Sequence, residues 1–480
     1  MHIWMVAAEA GPLAQTGGLG DVLRALPPAL ARLGHAVRRF LPAYAFLDRA
    51  GFVPEEINVA VPLGPARVPA RFLDREDHGG VTTTLVVNDE LFARDGIYGP
   101  PGGAYRDNAR RFALLSRAVC EYAARTGRTP DVLHVHDWHT ALVPLFLRFA
   151  YAWPRPPRTV LTLHNLGYQG RFGAEEIDWL SLSDATRERV FRTDGIEDHG
   201  GINLLKAGLV YADRITAVSP TYAREIVTPE GGSGLHEILR RRGGDLTGIL
   251  NGADYDLWNP AADRHLPRPY DAGSLEGKEA SRRALREAFG LPAADRPLLG
   301  VVSRFVHQKG IDVVAEAVPD LVRAGADLVL LGAGEDAIAG ALDRLRREHP
   351  RRVGLQVGYD ERLSHRVVAG SDLLLVPSRY EPCGLTQMHA LRYGTPPVVT
   401  RTGGLADTVL DEGESPGSGT GFVFAPLSAD SLVACVRRAL DLRASSREAW
   451  RSLQRRAMAA DFSWSEAARR YADLYRRLLG

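Results

Sequence analysis

Short apolar runs recur along the chain, each followed by a polar or glycine-bearing loop and then by apolar residues at helical spacing. That alternation predicts β-α units and hence parallel sheets. The first series comprises strands at His2–Ala8, within Asp131–His139, and at Thr159–Leu163, Arg214–Ser219 and Leu246–Leu250, while Val81–Val87 reads only as a short alternating run. Helices are predicted from Asp21 to Leu33, ended by Gly34, from Gly201 to Ala212, and from Pro220 onward. Turn signals among short alternating runs predict an irregular or hairpin-bearing insertion over 50–105. A second series has strands at Leu298–Ser303, Asp327–Gly332, Val353–Gly358, Asp372–Val376 and Pro397–Thr400. The polar, proline-bearing segment 260–296 separates the two series and places a boundary near 245–260. The pattern predicts two Rossmann-like parallel-sheet domains facing a central cleft, 1–250 and 251–461, with a last helix in 462–480 whose apolar stripe must dock on something.

Composition narrows the partners rather than the fold. Of 480 residues, 59 are basic and 58 acidic, for a formal net charge of +1. Bulk electrostatics therefore gives no case for nucleic acid or a membrane surface, and anion binding has to be local. No apolar run reaches the roughly 18 residues of a membrane span. The apolar N-terminus lacks a basic leader and is interrupted by Glu9 and Gly11-Pro12. Three scattered cysteines form neither a disulfide framework nor a zinc ribbon and suit a reducing compartment, so the expected location is cytoplasmic.

Candidate chemistry gathers at strand ends. After Asp372–Val376 comes Ser378-Arg-Tyr-Glu381-Pro-Cys383-Gly384-Leu385-Thr386, and a helix is predicted from Gly384 to Tyr393. Ligands of doubly wound sheets bind outside the carboxyl ends of the strands, where helix N-termini attract anions. The amides of Gly384, Leu385 and Thr386 suit a phosphate, and Glu381 suits hydroxyls. That pair of abilities suggests a sugar nucleotide, although a loop carboxylate stabilised by a helix dipole would have the same sequence. Cys383 has no neighbouring base and reads as a small loop thiol. Arg304 and Lys309 share the connection after Leu298–Ser303 and could converge on one anion.

In the first series, Gly17-Gly18-Leu19-Gly20 has a phosphate-loop layout. It is not a dinucleotide fingerprint, because Leu23 stands where the third glycine belongs and Arg38-Arg39 where a ribose-binding carboxylate belongs. The run His134-Val-His136-Asp137-Trp-His139 ends a strand, but alternation sends His134 and His136 to one face and Asp137 away from it. Its spacing is wrong for the common dinuclear arrangement, so no metal and no cofactor are expected.

These motifs together resemble the bacterial glycogen synthases and plant starch synthases, which are retaining glucosyltransferases of the GT-B fold. The resemblance runs almost end to end. It includes T-G-G-L-G-D (16–21), H-D-W-H (136–139), T-L-H-N (162–165), N-L-L-K-A-G (203–208), L-N-G-A-D (250–254), S-R-F-x-x-Q-K-G (303–310) and P-S-R-Y-E-P-C-G-L-T-Q (377–387). It implies glucosyl transfer from ADP-glucose to the non-reducing end of an α-1,4-glucan such as glycogen or maltodextrin. On that basis Arg304 and Lys309 would hold the donor diphosphate, assisted by the amides of 384–386. Glu381 and His164 would bind glucose hydroxyls, and Asp137 would lie at the acceptor side of the anomeric carbon. Gly18 would approach the donor and Tyr359 would flank the base, with Asp21, Asn251 and Cys383 among the other substrate-binding positions. The family's terminal helix crosses back to the first domain. Two cations and a helix terminus would take the place of a metal at the leaving group.

One position departs from the family pattern: Gln15 stands where a lysine is usual, which bears on donor affinity and identity. His389 stands where other retaining GT-B families carry a second glutamate. The rival readings are a GT-B transferase using UDP-glucose or another acceptor, and a glucan-binding protein with a decayed site. Retention of Asp137, His164, Arg304, Lys309 and Glu381 speaks against decay, and the missing fingerprint speaks against a dehydrogenase.

Overall fold

A computed structural model of the chain describes residues 1–77, 79–100 and 102–480. The chain divides into two compact units, one formed by Met1–Gly252 with Trp464–Gly480, the other by Ala253–Ser463. Both are parallel α/β sheets of Rossmann type, as the alternating pattern implies.

The strands in chain order are β1 (His2–Val6), β2 (Ala36–Pro42), β3 (Val53–Leu63), β4 (Ala66–Asp77), β5 (Val81–Val87), β6 (Val132–His136), β7 (Arg158–Leu163), β8 (Arg171–Phe172), β9 (Glu197–Asp198), β10 (Gly201–Asn203), β11 (Arg214–Ala217), β12 (Leu246–Gly248), β13 (Leu298–Val302), β14 (Asp327–Gly332), β15 (Val353–Val357), β16 (Leu373–Val376), β17 (Pro397–Thr400) and β18 (Phe422–Phe424). Among the described residues the first unit has a nine-stranded sheet ordered β12-β11-β7-β6-β1-β2-β5-β4-β3. It is parallel from β12 to β5, and β4 and β3 continue it antiparallel. The insertion over 50–105 thus contributes three successive strands, β3, β4 and β5, that extend the sheet as an antiparallel meander; its positions 78 and 101 lie outside the described residues. The second unit has six parallel strands ordered β15-β14-β13-β16-β17-β18. In both sheets the order reverses beside the first strand, between β1 and β6 and between β13 and β16. Those are the crevices where doubly wound folds bind ligands.

Three predicted boundaries need correction. The first helix spans Gly18–Arg32 rather than starting at Asp21, and it contains Pro27 and Pro28. Proline at 27 cannot donate to the carbonyl of Leu23, and the buried Arg39 takes over by donating to that oxygen at 2.7 Å. The stretch read as a helix from Gly201 is β10 followed by a helix Leu204–Tyr211, because the Asn203 side chain accepts the Lys206 N–H and caps it. The helix read from Gly384 spans Thr386–Arg392, since Gly384 is left-handed at φ +71°.

The terminal helix Trp464–Leu479 belongs to the first unit and packs against Gly18–Arg32. Tyr471 and Tyr475 are fully buried, and the Tyr475 hydroxyl meets Nδ1 of His134 at 2.7 Å. In the second unit one apolar layer under β13 and β14 is built from Val301, Phe305, Val314, Leu321, Leu328 and Leu330. A layer on the other face includes Leu285, Val367, Val368, Leu374 and Tyr393.

Candidate active site

The connection after β1 is organised by a residue that the sequence marked only as an interruption. Glu9 is 3% exposed. Its carboxylate accepts from the amides of Thr16 and Gly17 at 2.7 and 3.1 Å, from the Thr16 hydroxyl at 2.8 Å and from the Tyr98 hydroxyl at 2.5 Å. Four donors on one buried carboxylate fix the loop that presents Gly18, which is exposed. Gln15 is folded back over the loop, with Nε2 donating to Asp21 Oδ1 at 2.6 Å.

At the end of β6, alternation places the rings of His134 and His136 4.2 Å apart on one face. His134 is held between the Tyr475 hydroxyl and the Thr162 hydroxyl, and Thr162 in turn bonds to Thr216. His136 Nδ1 lies 3.0 Å from His164 Nε2. Burial lowers the pKa of His134 and of His164 to about 3, so both rings are neutral near pH 7. Asp137 then leaves the strand at φ +54°, a left-handed conformation that turns its carboxylate to the amide of His164, which donates at 2.7 Å. Burial pushes the Asp137 pKa up to about 7, against the lowering effect of the His164 and Asn165 amides. The structure therefore brings Asp137 and His164 together at the carboxyl ends of β6 and β7, next to the switch point of the first sheet. A shallow cavity of about 270 Å³ lies beside Trp138 and is lined by the exposed Tyr168 with Gln169 and Arg171.

In the second unit Lys309 and Glu381 meet at the other switch point. Lys309 Nζ lies 2.5 Å from Glu381 Oε2, which also accepts from the Ser378 hydroxyl at 2.8 Å. Glu381 is 5% exposed. The two connections are clamped together. Arg379 grips Asp312 with two bonds of 2.8 and 2.7 Å and donates to the carbonyl of His307 at 2.6 Å. Gly310, at φ +66°, lies so close that a Cβ there would stand 1.9 Å from the carbonyl oxygen of Pro377. Arg304 is exposed, with Nη2 3.4 Å from Gln308 Oε1. Arg304 and Lys309 thus share a connection, but Lys309 is engaged with Glu381.

Cys383 is buried, and Gly384, Leu385 and Thr386 are half-buried ahead of a two-turn helix. The buried Gln387 side chain ties that helix to the loop by donating to the carbonyls of Cys383 and Gly384. Tyr359 stands 87% exposed after β15, and Asn251 is buried. The sequence reading missed Glu9, Tyr98, Ser378 and the Arg379-Asp312 clamp. A lone acidic residue at the end of the apolar run of β1 was the available signal for Glu9.

Comparison with known proteins follows the same division. Residues 2–241 match the family described as starch synthase catalytic domain, and residues 282–456 match glycosyl transferases group 1. The chain is 45% identical to glycogen synthase 2 of Geobacter sulfurreducens over 482 residues, covering 99% of this chain and 98% of that protein. It is 46% identical to the glycogen synthase of Anaeromyxobacter dehalogenans over 487 residues, covering 100% and 99%.

The chain belongs to the glycogen and starch synthase family.

Among solved structures it is similar to the catalytic domain of starch synthase IV from Arabidopsis thaliana bound to ADP and acarbose. The TM-score is 0.91 at 34% identity, covering 100% of this chain and 99% of that one. A sucrose-phosphate synthase from Thermosynechococcus elongatus shares the fold at 21% identity and a TM-score of 0.60. The protein is thus a glycosyltransferase with the GT-B fold of this family. Among the described residues no helix is long and apolar enough to cross a membrane.

Proposed function

We propose that this glycosyltransferase moves an α-D-glucosyl group, with retention, from ADP-glucose to the non-reducing end of an α-1,4-glucan. The observation that carries the reading is the end-to-end similarity to a starch synthase domain bound to ADP and acarbose. In this reading Arg304 and Lys309 stabilise the charge that develops on the departing diphosphate, with the amides of Gly384, Leu385 and Thr386 in support. Glu381 and His164 accept or donate to glucose hydroxyls, and neutrality suits His164 to that task. Asp137 acts beside the anomeric carbon on the acceptor side. Gly18, Asp21 and Gln15 contribute from the loop held by Glu9, and Asn251, Tyr359 and Cys383 line the remaining donor contacts. Exposed Tyr168 and its neighbours offer a surface for an acceptor sugar ring. Three buried free thiols support a reducing, cytoplasmic location.

The test is initial-rate turnover of ADP-glucose against UDP-glucose with glycogen as acceptor. The expected result is a large preference for ADP-glucose with glucose incorporated into the polymer. Preferential use of UDP-glucose, or nucleotide release without polymer growth, would overturn the assignment.

A further inference from the structure

In the second unit, His265, Glu361 and His365 place one ligand atom each within 4.8 Å of one another. His365 is fully buried. Its Nδ1 lies 2.7 Å from Asp263 Oδ2, an oxygen that also accepts from the Tyr393 hydroxyl at 2.6 Å. With its proton on Nδ1 facing a carboxylate, the ring exposes the lone pair of Nε2, which is the arrangement that prepares histidine to bind a metal. The plane of the ring is fixed by Trp258, which stacks on it at 3.8 Å and 8°. Among the described residues, Nε2 of His365 and Nε2 of His265 are both buried and both lack a hydrogen-bond partner. Two buried ring nitrogens left unpaired side by side are unusual in a folded protein unless water or an ion satisfies them.

The scaffold around the pair is as constrained as the ring. Glu361 opens the helix Glu361–Gly370 and lies four residues before His365, so the two share one face. The backbone of His265 is anchored on both sides, its N–H donating to Asp263 Oδ1 at 2.8 Å and its carbonyl accepting from Arg366 Nε at 3.0 Å. Asp263 therefore fixes both histidines.

We propose that His265, Glu361 and His365 form a binding site for a divalent transition cation, with Zn²⁺ the best fit to two imidazoles and one carboxylate. Zinc holds such ligands at about 2.0–2.2 Å, which sets ligand atoms roughly 3.3–3.6 Å apart, so atoms that lie within 4.8 Å need close by at most about 1.5 Å. Glu361 is exposed and can supply that movement by a change of rotamer. Water completes the coordination. The ion would pin the segment around His265 to the helix that follows Tyr359, and none of its ligands is among the residues assigned to glucosyl transfer.

The experiment uses the full-length protein, stripped with chelator, and Zn²⁺ alone as the probe. Calorimetric titration is expected to give one equivalent bound and a thermal midpoint that rises with Zn²⁺. Co²⁺ is expected to give a visible spectrum of tetrahedral intensity. His265→Gln and Glu361→Gln alter side chains outside the fully buried core, and each should weaken binding by about tenfold or more and remove the Co²⁺ bands. Metal-free, both variants should melt with the metal-free wild type. Failure of the wild type to bind a stoichiometric ion, or equal binding and spectra in both variants, overturns the proposal.

Discussion

Lys309 and Glu381, 72 positions apart, meet at 2.5 Å where two neighbouring strands of the second sheet end. The pair does two jobs that substitution can separate. Replacing Lys309 by alanine removes a cation assigned to the donor diphosphate and leaves a buried carboxylate that keeps, among the described residues, the donated hydrogen bond of the Ser378 hydroxyl. We expect kcat to fall by about 10²–10³-fold and stability to fall by about 1–3 kcal/mol. Arg304 is exposed, and its contact to Gln308 is long at 3.4 Å. Arg304→Ala should lower kcat similarly while the melting temperature stays put. Near-normal turnover in both variants would sink the leaving-group assignment.

Asp137 predicts a stability trend with pH. Its folded pKa of about 7 lies above the value near 3.9 of an unfolded aspartate. Between those values the native state keeps a proton that the unfolded state has released, so this residue's contribution to stability falls as pH rises from about 4 to 7, then levels off. Asp137→Asn should therefore gain on the wild type across that window, by at most about 4 kcal/mol. Turnover that depends on the ionised carboxylate should rise through pH 7, and the asparagine variant should lose that limb with most of its activity. Parallel denaturation and rate profiles at pH 5 and 8.5 check both; a constant stability difference would exclude a titrating Asp137.

The strands were legible because parallel strands covered on both faces become uninterrupted apolar runs, as β14 and β17 illustrate. Polar residues placed just after such runs, including Asp137, His164, Arg304 and Glu381, could therefore be assigned to strand ends. What pairs with what was not legible. Glu9 finds Tyr98 across 89 positions, and His134 finds Tyr475 across 341. The start of the first helix was misplaced because three glycines resemble a loop until Glu9 is seen holding the preceding amides. The predicted helix runs through Pro27 and Pro28, and what the sequence does not show is that Arg39 takes the carbonyl orphaned by Pro27. Glu361 and His365 have helical spacing, but the third member, His265, lies about a hundred residues before them, so the trio forms no local motif.

Gly310 connects packing to the charge pair. An alanine there would need a left-handed backbone and would drive its Cβ into the carbonyl of Pro377. Gly310→Ala should cost at least about 2 kcal/mol and move Lys309 away from Glu381, lowering kcat with little change in acceptor KM. Unchanged stability would mean that the connection is free to shift.

Gln15 carries the last prediction. Its amide offers neutral hydrogen bonds, roughly half as strong as charge-assisted ones, where the family pattern has a cation. Gln15→Lys should therefore tighten donor binding, raise kcat/KM by about tenfold and make donor affinity more sensitive to salt. The side chain at 15 already reaches Asp21 at 2.6 Å and lies against Gly11 and Gly20, so a lysine would meet that carboxylate first. Part of its charge would be offset there, and the gain should grow when Asp21→Asn is added to Gln15→Lys. Steady-state kinetics of the wild type, the single and the double variant at low and high salt separate the cases. A gain that is larger in the double variant and shrinks with salt places the position within reach of the donor phosphates. Equal kcat/KM and equal salt dependence in all three proteins would mean that position 15 does not sense them.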